Sequence, residues 1–483
     1  MSGGALGGRT DARRSALRGP PAGGWSLGGA QFQWGIWLFA GYYVLLLLDN
    51  LLLRGPTQLS SYIDEIFCLT LGGFALAGLR HLTRTGWCLV GLFLAYLILS
   101  MLSAAFSDLE NYPRVLATAV GVVLDAKLLI AMMALVYLLR KHPAARLYGP
   151  LLLVIIAVAA VNSIFVIRDL LAGGSDIFGA TLDTRLGFPQ AHGLFHHQTA
   201  SVDISMLGSF AAASLFVSRG RPVMAAVWIY LTLIALLHFL AKEIVTVTGC
   251  SLMFMLSIGI RDQFTRIVAR LGALFVAAIV SLPYLTYLAP FVMFRFQSYF
   301  GHGADEGVRV LMYVTAFDIA RDYFPLGSGA GTFGSYPSRS LFYSPIYDHY
   351  GLSNLYGASR FFSDYLMDTF WPKVLGESGF FGAVAYLGFL GLLIWRAFQN
   401  LLDRTDSMTL FSAAVLIALT IQSLAASVFT HELYAPLIGV IGAFTLIRNS
   451  EIAPKRAGRP ARPVAGPGAR HRGRQASAPS RQG

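Results

Sequence analysis

The sequence predicts an all-α polytopic membrane protein of about twelve transmembrane helices, with a large loop between the ninth and the tenth. Hydrophobic residues make up 55% of the 483-residue chain and charged residues only 13%. A soluble protein carries roughly 25% charged residues, so most of this surface must face lipid rather than water. Long apolar runs, and basic residues that alternate between successive loops, predict the same fold class.

Each predicted span is an apolar run close to the ~20 residues that cross a bilayer as a helix. Nine runs lie within residues 31–290, and three lie within residues 379–450. Two connections, 168–198 and 291–378, are long enough to indicate a functional role. The runs cover residues 33–53, 62–79, 86–105, 115–139, 149–167, 199–217, 222–240, 244–260, 269–290, 379–397, 408–429 and 434–447.

The orientation follows from the short loops. Basic residues cluster in every second connection, while the intervening short loops carry few. Because basic loops stay on the cytoplasmic side, both termini are predicted to be cytoplasmic. Both long loops then lie on the periplasmic side of a bacterial inner membrane. The basic connections fall at residues 80–84, 140–146, 219–221, 261–270 and 396–404.

The two tails, residues 1–30 and 451–483, hold nearly all of the formal net charge of +12. They are rich in Gly, Pro, Ala and Arg and cannot bury a core, so we predict that they are disordered. Anionic lipid headgroups are the expected partner of such tails. A nucleic-acid partner is not predicted, because the chain between the tails is close to neutral.

The large loop 291–378 contains the densest set of chemically informative residues. From Val308 the apolar spacing predicts a helix of about four turns that ends before Pro325, with Arg309 near its start. Four glycines follow within residues 327–334. Such a segment is either an ordinary turn or a loop whose free amides line an anion site.

Aromatic residues crowd the remainder of this loop, including Tyr336 and Trp371. Aromatic rings stack on sugar rings, and they also form the belt at a membrane interface. The sequence leaves both interpretations open.

Other polar residues lie in or beside the predicted spans. The first long loop groups Arg185 with three histidines, among them His196 and His197. No carboxylate completes a ligand set there, so no metal site is predicted. Lys242 lies at the outer membrane boundary, and Asp125 and Lys127 lie inside the fourth span. A buried structural pairing is expected for these last two residues, with ion conduction as the alternative.

Together these motifs resemble the superfamily of O-antigen ligases and Wzy-type polysaccharide polymerases. Arg185 and the segment through Phe195 resemble the family's Arg and Gly-Phe pattern before a span. Arg309 with PLGSGAGTF resembles its Arg, helix and Gly-x-Gly run, and Glu377 with Gly379 resembles its Glu-x-Gly. The sequence departs from the family in two places: Lys242 replaces an Arg, and Asp368-Thr369 stands where the family has His-Asn.

The resemblance implies transfer of a glycan from undecaprenyl diphosphate, without a metal or another cofactor. Arg185, Arg309 and Lys242 would bind the diphosphate, and Asp368 or Glu377 would act on the acceptor hydroxyl. His196, His197, Tyr336 and Trp371 are the expected sugar- or acceptor-binding residues. A chain-length regulator or export complex is an expected partner.

The missing His-Asn favours a polymerase over a ligase that transfers the glycan to lipid A core. A transporter of lipid-linked polysaccharide and a non-catalytic assembly partner remain the alternatives from other functional classes.

Overall fold

The computed structural model describes residues 63–452, except for short gaps and one longer gap at 258–307, together with residues 41 and 45. The short gaps are 140–143, 174, 177–180, 183, 186–187, 196–197, 239–240, 404–405 and 431–433. Apart from residues 41 and 45, the predicted spans at 33–53 and 269–290 and the N-terminal tail 1–30 lie outside the described residues. The predicted C-terminal tail, 451–483, also lies outside them, except that its first two residues belong to the last helix.

Seven helices and one small hairpin precede the longer gap in the described part of the chain. Their ends agree with the predicted spans to within a few residues. The elements are α1 (Ile63–Leu79), α2 (Arg84–Phe106), α3 (Arg114–Leu139), α4 (Ala144–Leu171), β1 (Thr184–Arg185), β2 (Phe188–Pro189), α5 (Gln198–Arg219), α6 (Pro222–Leu236) and α7 (Ala241–Ser257).

The helices after the gap are α8 (Val308–Asp322), the five-residue α9 (Pro345–His349), α10 (Trp371–Asp403), α11 (Ser407–Gln422) and α12 (Ala435–Ile452). Between α8 and α10 the chain forms a π-helical turn, Pro337–Leu341, and two 3₁₀ turns, Leu352–Asn354 and Asp364–Met367. Helix α8 has the position and length that the apolar spacing predicts.

Within the described residues, five helices are long and apolar enough to cross a membrane. The predicted class, an all-helical membrane protein, is therefore confirmed, while the number of twelve spans stays a prediction. These five stretches are Arg84–Phe106, Arg114–Leu138, Gly149–Leu171, Gln198–Arg219 and Trp371–Leu401. Five shorter apolar helices lie in α1, α6, α7, α11 and α12.

The helices pack into one bundle with α5 near its centre. Helix α5 lies against α4, α6, α7 and α11. In its most apolar 18-residue stretch, 83% of the residues are buried inside the protein. Helix α3 packs between α1 and α12, and α2 packs along α10. One continuous core joins these helices.

Helix α10 differs from the prediction, because it begins at Trp371 and not at 379. The hydropathy pattern breaks at Lys373 and Glu377, yet both side chains are buried inside the protein. Gly379 interrupts the helix with φ 64° and ψ −169°, so α10 is bent at the point where the sequence predicts its start. Helix α11 also ends earlier than predicted, at Gln422, and a turn segment follows it.

Residues 308–370 form a cap with a small core of its own. Met312 and Ile319 from α8 meet Phe333, Ile346 and Tyr347 in this core. Helix α8 also packs along α10, so the cap lies directly on the bundle.

Each of the three cysteines lies inside a predicted apolar run, and this position predicts a buried thiol. Cys68 and Cys250 are buried, whereas Cys88 is exposed on α2. The prediction is therefore wrong for Cys88, which lies on an apolar helix surface suited to contact with lipid.

Candidate functional site

Arg309 and Asp368 form an ion pair at the surface of the cap. Arg309 lies in the first turn of α8, and Asp368 follows the 3₁₀ turn that leads into α10. The guanidinium Nη2 lies 2.5 Å from Oδ2 of Asp368, and their side chains are 28% and 32% exposed. Two residues that the sequence assigns to different roles are thus brought into direct contact, with part of each open to a ligand.

The segment that follows α11, residues 423–430, holds this ion pair against the bundle. The hydroxyl of Tyr313, one turn beyond Arg309, donates to the Leu424 carbonyl at 2.8 Å. The Ser427 hydroxyl donates to the carbonyl of Met367, the residue before Asp368. Both partners of the pair are therefore positioned by the same short segment.

The glycine-rich loop, residues 327–334, is an internal connector. Every residue in it is buried. The amides of Ser328 and Gly329 donate to the carbonyls of Gly376 and Glu377 at 2.9 and 3.1 Å, and the Gly334 amide donates to the Tyr347 hydroxyl at 2.8 Å. These three amides are hydrogen-bonded to protein acceptors, so they are not available to an anion, and here the interpretation as a turn holds.

Glycine is required here because the backbones touch. All four glycines of the loop have positive φ. A Cβ on Gly331 would lie 2.6 Å from the Ala117 carbonyl oxygen of α3. A Cβ on Gly327 would lie 2.5 Å from the amide nitrogen of Gly379, at the bend of α10. The loop therefore fills the space between α3 and the bend.

Glu377 fastens this loop to α10. Its Oε1 accepts hydrogen bonds from the Phe333 amide at 3.1 Å and from the Ser335 hydroxyl at 2.6 Å, and the residue is 1% exposed. A carboxylate in this position holds the loop in place and offers little surface to an incoming hydroxyl group. Of the two predicted bases, only Asp368 is open to solvent.

A buried charge cluster lies in the bundle below the loop. Asp125 pairs with Lys373 of α10 and accepts a hydrogen bond at 2.7 Å from the hydroxyl of Tyr96. The prediction of a buried pairing holds for Asp125 but did not identify its partner. It missed Lys373 because the sequence places that residue in the large loop. Spacing along the chain does indicate that Lys373 and Glu377 share a helix face.

The first long loop is anchored by two residues that the sequence analysis missed. Asp169 Oδ2 accepts the amides of His192 and Gly193 at 3.2 and 2.9 Å. Asn162 Oδ1 accepts the Leu194 amide at 3.0 Å. Asn162 is a polar residue inside the predicted apolar run 149–167, which was an available signal, whereas Asp169 was assigned to the loop itself.

For the remaining basic residues of the predicted site, the structure gives at most the position of the backbone. Arg185 lies in the hairpin strand β1, and Lys242 is the second residue of α7, each located by its backbone. His196 and His197 lie outside the described residues. The structure therefore leaves their roles as predictions.

The two predicted aromatic ligands have different surroundings. Tyr336 is exposed at the start of the π-helical turn. The indole of Trp371 is half-buried, contacts Phe370 and Tyr386, and donates from Nε1 to the Ser423 hydroxyl at 2.9 Å. Trp371 thus helps to dock α10 against α11, and Tyr336 is the more accessible of the two.

Charged pairs also stabilise the surface of the cap. The Tyr350 hydroxyl donates to Asp322 at 2.9 Å and, with Arg321, holds the pKa of that carboxyl below its usual value. Arg360 lies 2.6 Å from Asp348 and lowers the pKa of that carboxyl in the same way. A further pair joins Arg339 to Asp364.

No family model and no curated protein matches this chain. Function is therefore inferred from the side chains. Within the described part of the chain, no group of three or more His, Cys, Asp and Glu residues could hold a metal ion.

Proposed function

We propose that the protein is a membrane glycosyltransferase that polymerises oligosaccharide repeat units carried on undecaprenyl diphosphate. The observation that carries the proposal is the partly exposed Arg309–Asp368 pair beside the bundle. In the proposal Arg309 is the cation that binds the donor diphosphate and Asp368 is the proton acceptor, and the contact between the two residues supports this assignment.

In this proposal the donor diphosphate exchanges places with Asp368 on the guanidinium. The planar fork of Arg309 suits two phosphate oxygens and remains charged at any working pH. The carboxylate of Asp368, released from the ion pair, then takes the proton of the acceptor hydroxyl. Binding of the donor and activation of the acceptor are thereby coupled through one contact.

The transfer itself is a single displacement. The acceptor oxygen forms a bond to the anomeric carbon, and the bond from that carbon to the diphosphate oxygen breaks. The diphosphate leaves with the electron pair and Asp368 retains the proton. Attack from the face opposite the leaving group inverts the anomeric configuration. Arg309, assisted by Arg185 and Lys242, neutralises the charge that develops on the diphosphate.

The proposal places the protein in a bacterial inner membrane with about twelve spans, cytoplasmic termini and a periplasmic cap. The donor lipid would stay in the bilayer while the sugars reach the cap, where Tyr336 and neighbouring rings would contact them. The buried Asp125–Lys373 pair supports an enzyme more than a transporter, because its charges are satisfied inside the protein and are only 7% exposed.

The deciding experiment uses purified protein in lipid nanodiscs with an undecaprenyl-diphosphate-linked oligosaccharide as the only substrate. A ladder of longer lipid-linked glycans is expected. Arg309→Ala should lower its rate by about 10²–10³-fold, the effect of removing one preorganised charge. If glycan transfer begins only after a separate acceptor is added, the protein is a ligase.

Asp368→Asn separates binding from chemistry. The rate at saturating donor should fall by about 10²–10⁴-fold, as expected for loss of a general base. The KM for the donor should not rise, because the diphosphate no longer has to displace the Asp368 carboxylate from Arg309. Arg339→Ala is the matched control, since it breaks another cap Arg–Asp pair with a partly exposed arginine. Equal losses in Arg309→Ala and Arg339→Ala would refute the assignment.

A further inference from the structure

We infer that α8 lies in the membrane interface and that its outer face, together with the adjoining face of α10, binds bilayer lipid. The cap would then contact the membrane directly through α8. This inference is independent of glycan transfer, and it rests only on the placement of the bundle in a bilayer.

The outer face of α8 is apolar and exposed. Val314 and Phe317 lie three residues apart on the helix, and Phe324 follows just beyond its end. Their exposed fractions are 53%, 57% and 62%. Large apolar side chains this open are unusual on the surface of a domain that is surrounded by water.

This face continues into the exposed side of α10. The ring centroids of Phe317 and Phe380 are 6.4 Å apart, and those of Phe324 and Phe381 are 6.1 Å apart. Further along α10, Val384 and Leu387 are also exposed. A single apolar strip therefore runs from a membrane-spanning helix onto the cap.

The length of α10 indicates how deep in the bilayer this apolar strip lies. Arg396 follows Phe381 by fifteen positions and lies beside the exposed Trp395 near the other end of the helix. At about 1.5 Å per residue these positions span ~22 Å. The hydrocarbon layer is ~30 Å thick. If Trp395 and Arg396 mark one interface, Phe380 and Phe381 lie inside the opposite edge of the hydrocarbon, and α8 lies beside them.

Polar residues border the strip as expected for an interfacial helix. Arg321 is exposed and pairs with Asp318 and Asp322 near the C-terminal end of α8. An apolar outer face with charged residues at its edge fits a helix at the boundary between the hydrocarbon layer and the headgroups. Lipid, not a protein groove, is thus the occupant that accounts for both the apolar face and its continuity with a spanning helix.

Spin labels measure this placement directly. In a Cys88→Ser background, cysteine is introduced at Phe317 and at Asp322, and the labelled protein is reconstituted in nanodiscs of phosphatidylethanolamine and phosphatidylglycerol. Collision with dissolved oxygen reports the lipid phase, and collision with a water-soluble nickel chelate reports the aqueous phase. Leu387→Cys, on α10, is the lipid-facing control.

The label at Phe317 should favour oxygen over nickel, as the label at Leu387 does, and the label at Asp322 should show the reverse. Nickel preference at Phe317 with oxygen preference at Leu387 would overturn the inference. Shielding of Phe317 from both reagents would also overturn it, by indicating a second protein on this face. Nickel preference at Leu387 would refute the bilayer placement itself. Phe324→Cys provides a second site if Phe317→Cys does not fold.

Discussion

Replacing Lys373 by methionine should destabilise the protein strongly, because Asp125 would lose its cationic partner inside the bundle. Both side chains are only 7% exposed. Removing one partner of a buried ion pair costs about 3–5 kcal/mol, since the other charge stays desolvated. The hydrogen bond from Tyr96 would remain and would offset part of this cost. The expected loss therefore lies near 3 kcal/mol.

The double variant Asp125→Leu/Lys373→Met tests the cause of this loss. With both charges removed, no buried group is left unpaired, and such replacements are often neutral or even stabilising. We expect the double variant to be more stable than Lys373→Met alone. The difference in a double-mutant cycle gives the coupling energy between the two residues.

The free energy of unfolding is measured by steric trapping in bicelles. Arg360→Met is the control, because it breaks an ion pair whose side chains are 62% and 42% exposed. An exposed pair contributes about 0–1 kcal/mol. A loss for Lys373→Met no greater than that for Arg360→Met would refute the reasoning, as would a double variant less stable than both single variants.

Three further outcomes are expected. Gly331→Ala should cost several kcal/mol of unfolding free energy, because its Cβ would meet the Ala117 carbonyl at 2.6 Å; a thermal shift in detergent measures this, and an unchanged midpoint would contradict it. Tyr350→Phe should lower stability at pH 7, and the loss should shrink below the unfolded-state pKa of Asp322 and vanish only below its lowered folded-state pKa; a thermal shift that does not change between pH 7 and strongly acidic pH would refute this. Asp169→Ala should speed hydrogen exchange at the two loop amides that it binds, and unchanged protection there would show that the anchor is dispensable.

Much of the helical framework could be predicted from hydropathy, because lipid-facing and core residues are both apolar. The ends of α2 and α3 are close to the predicted ones for this reason. The start of α10 could not be predicted, since Lys373 and Glu377 read as loop residues and only the folded partners, Asp125 and Ser335, show that they are buried.

The geometry of the candidate site could not be predicted from the sequence. Arg309 and Asp368 were identified through a resemblance, but 59 positions separate them, and no local pattern indicates that they touch. The role of the glycine run was ambiguous, because the sequence does not show whether the amides of the loop are free or hydrogen-bonded to other parts of the protein. Its outcome depends on the carbonyls at the bend of α10, which become available only where Gly379 leaves helical geometry.

The glycine-rich loop has a consequence for how this protein can be taken apart. Its backbone contacts α3 on one side and the bend of α10 on the other. The loop therefore belongs to the cap by sequence but is packed only when the bundle is present. The cap should not be obtainable as a separate soluble fragment, despite its own small core. Grafting the cap onto a different bundle would require transferring the contacting turns of α3 and α10 with it. Variants that destabilise the cap should also lower the unfolding temperature of the bundle, so that both unfold in one transition.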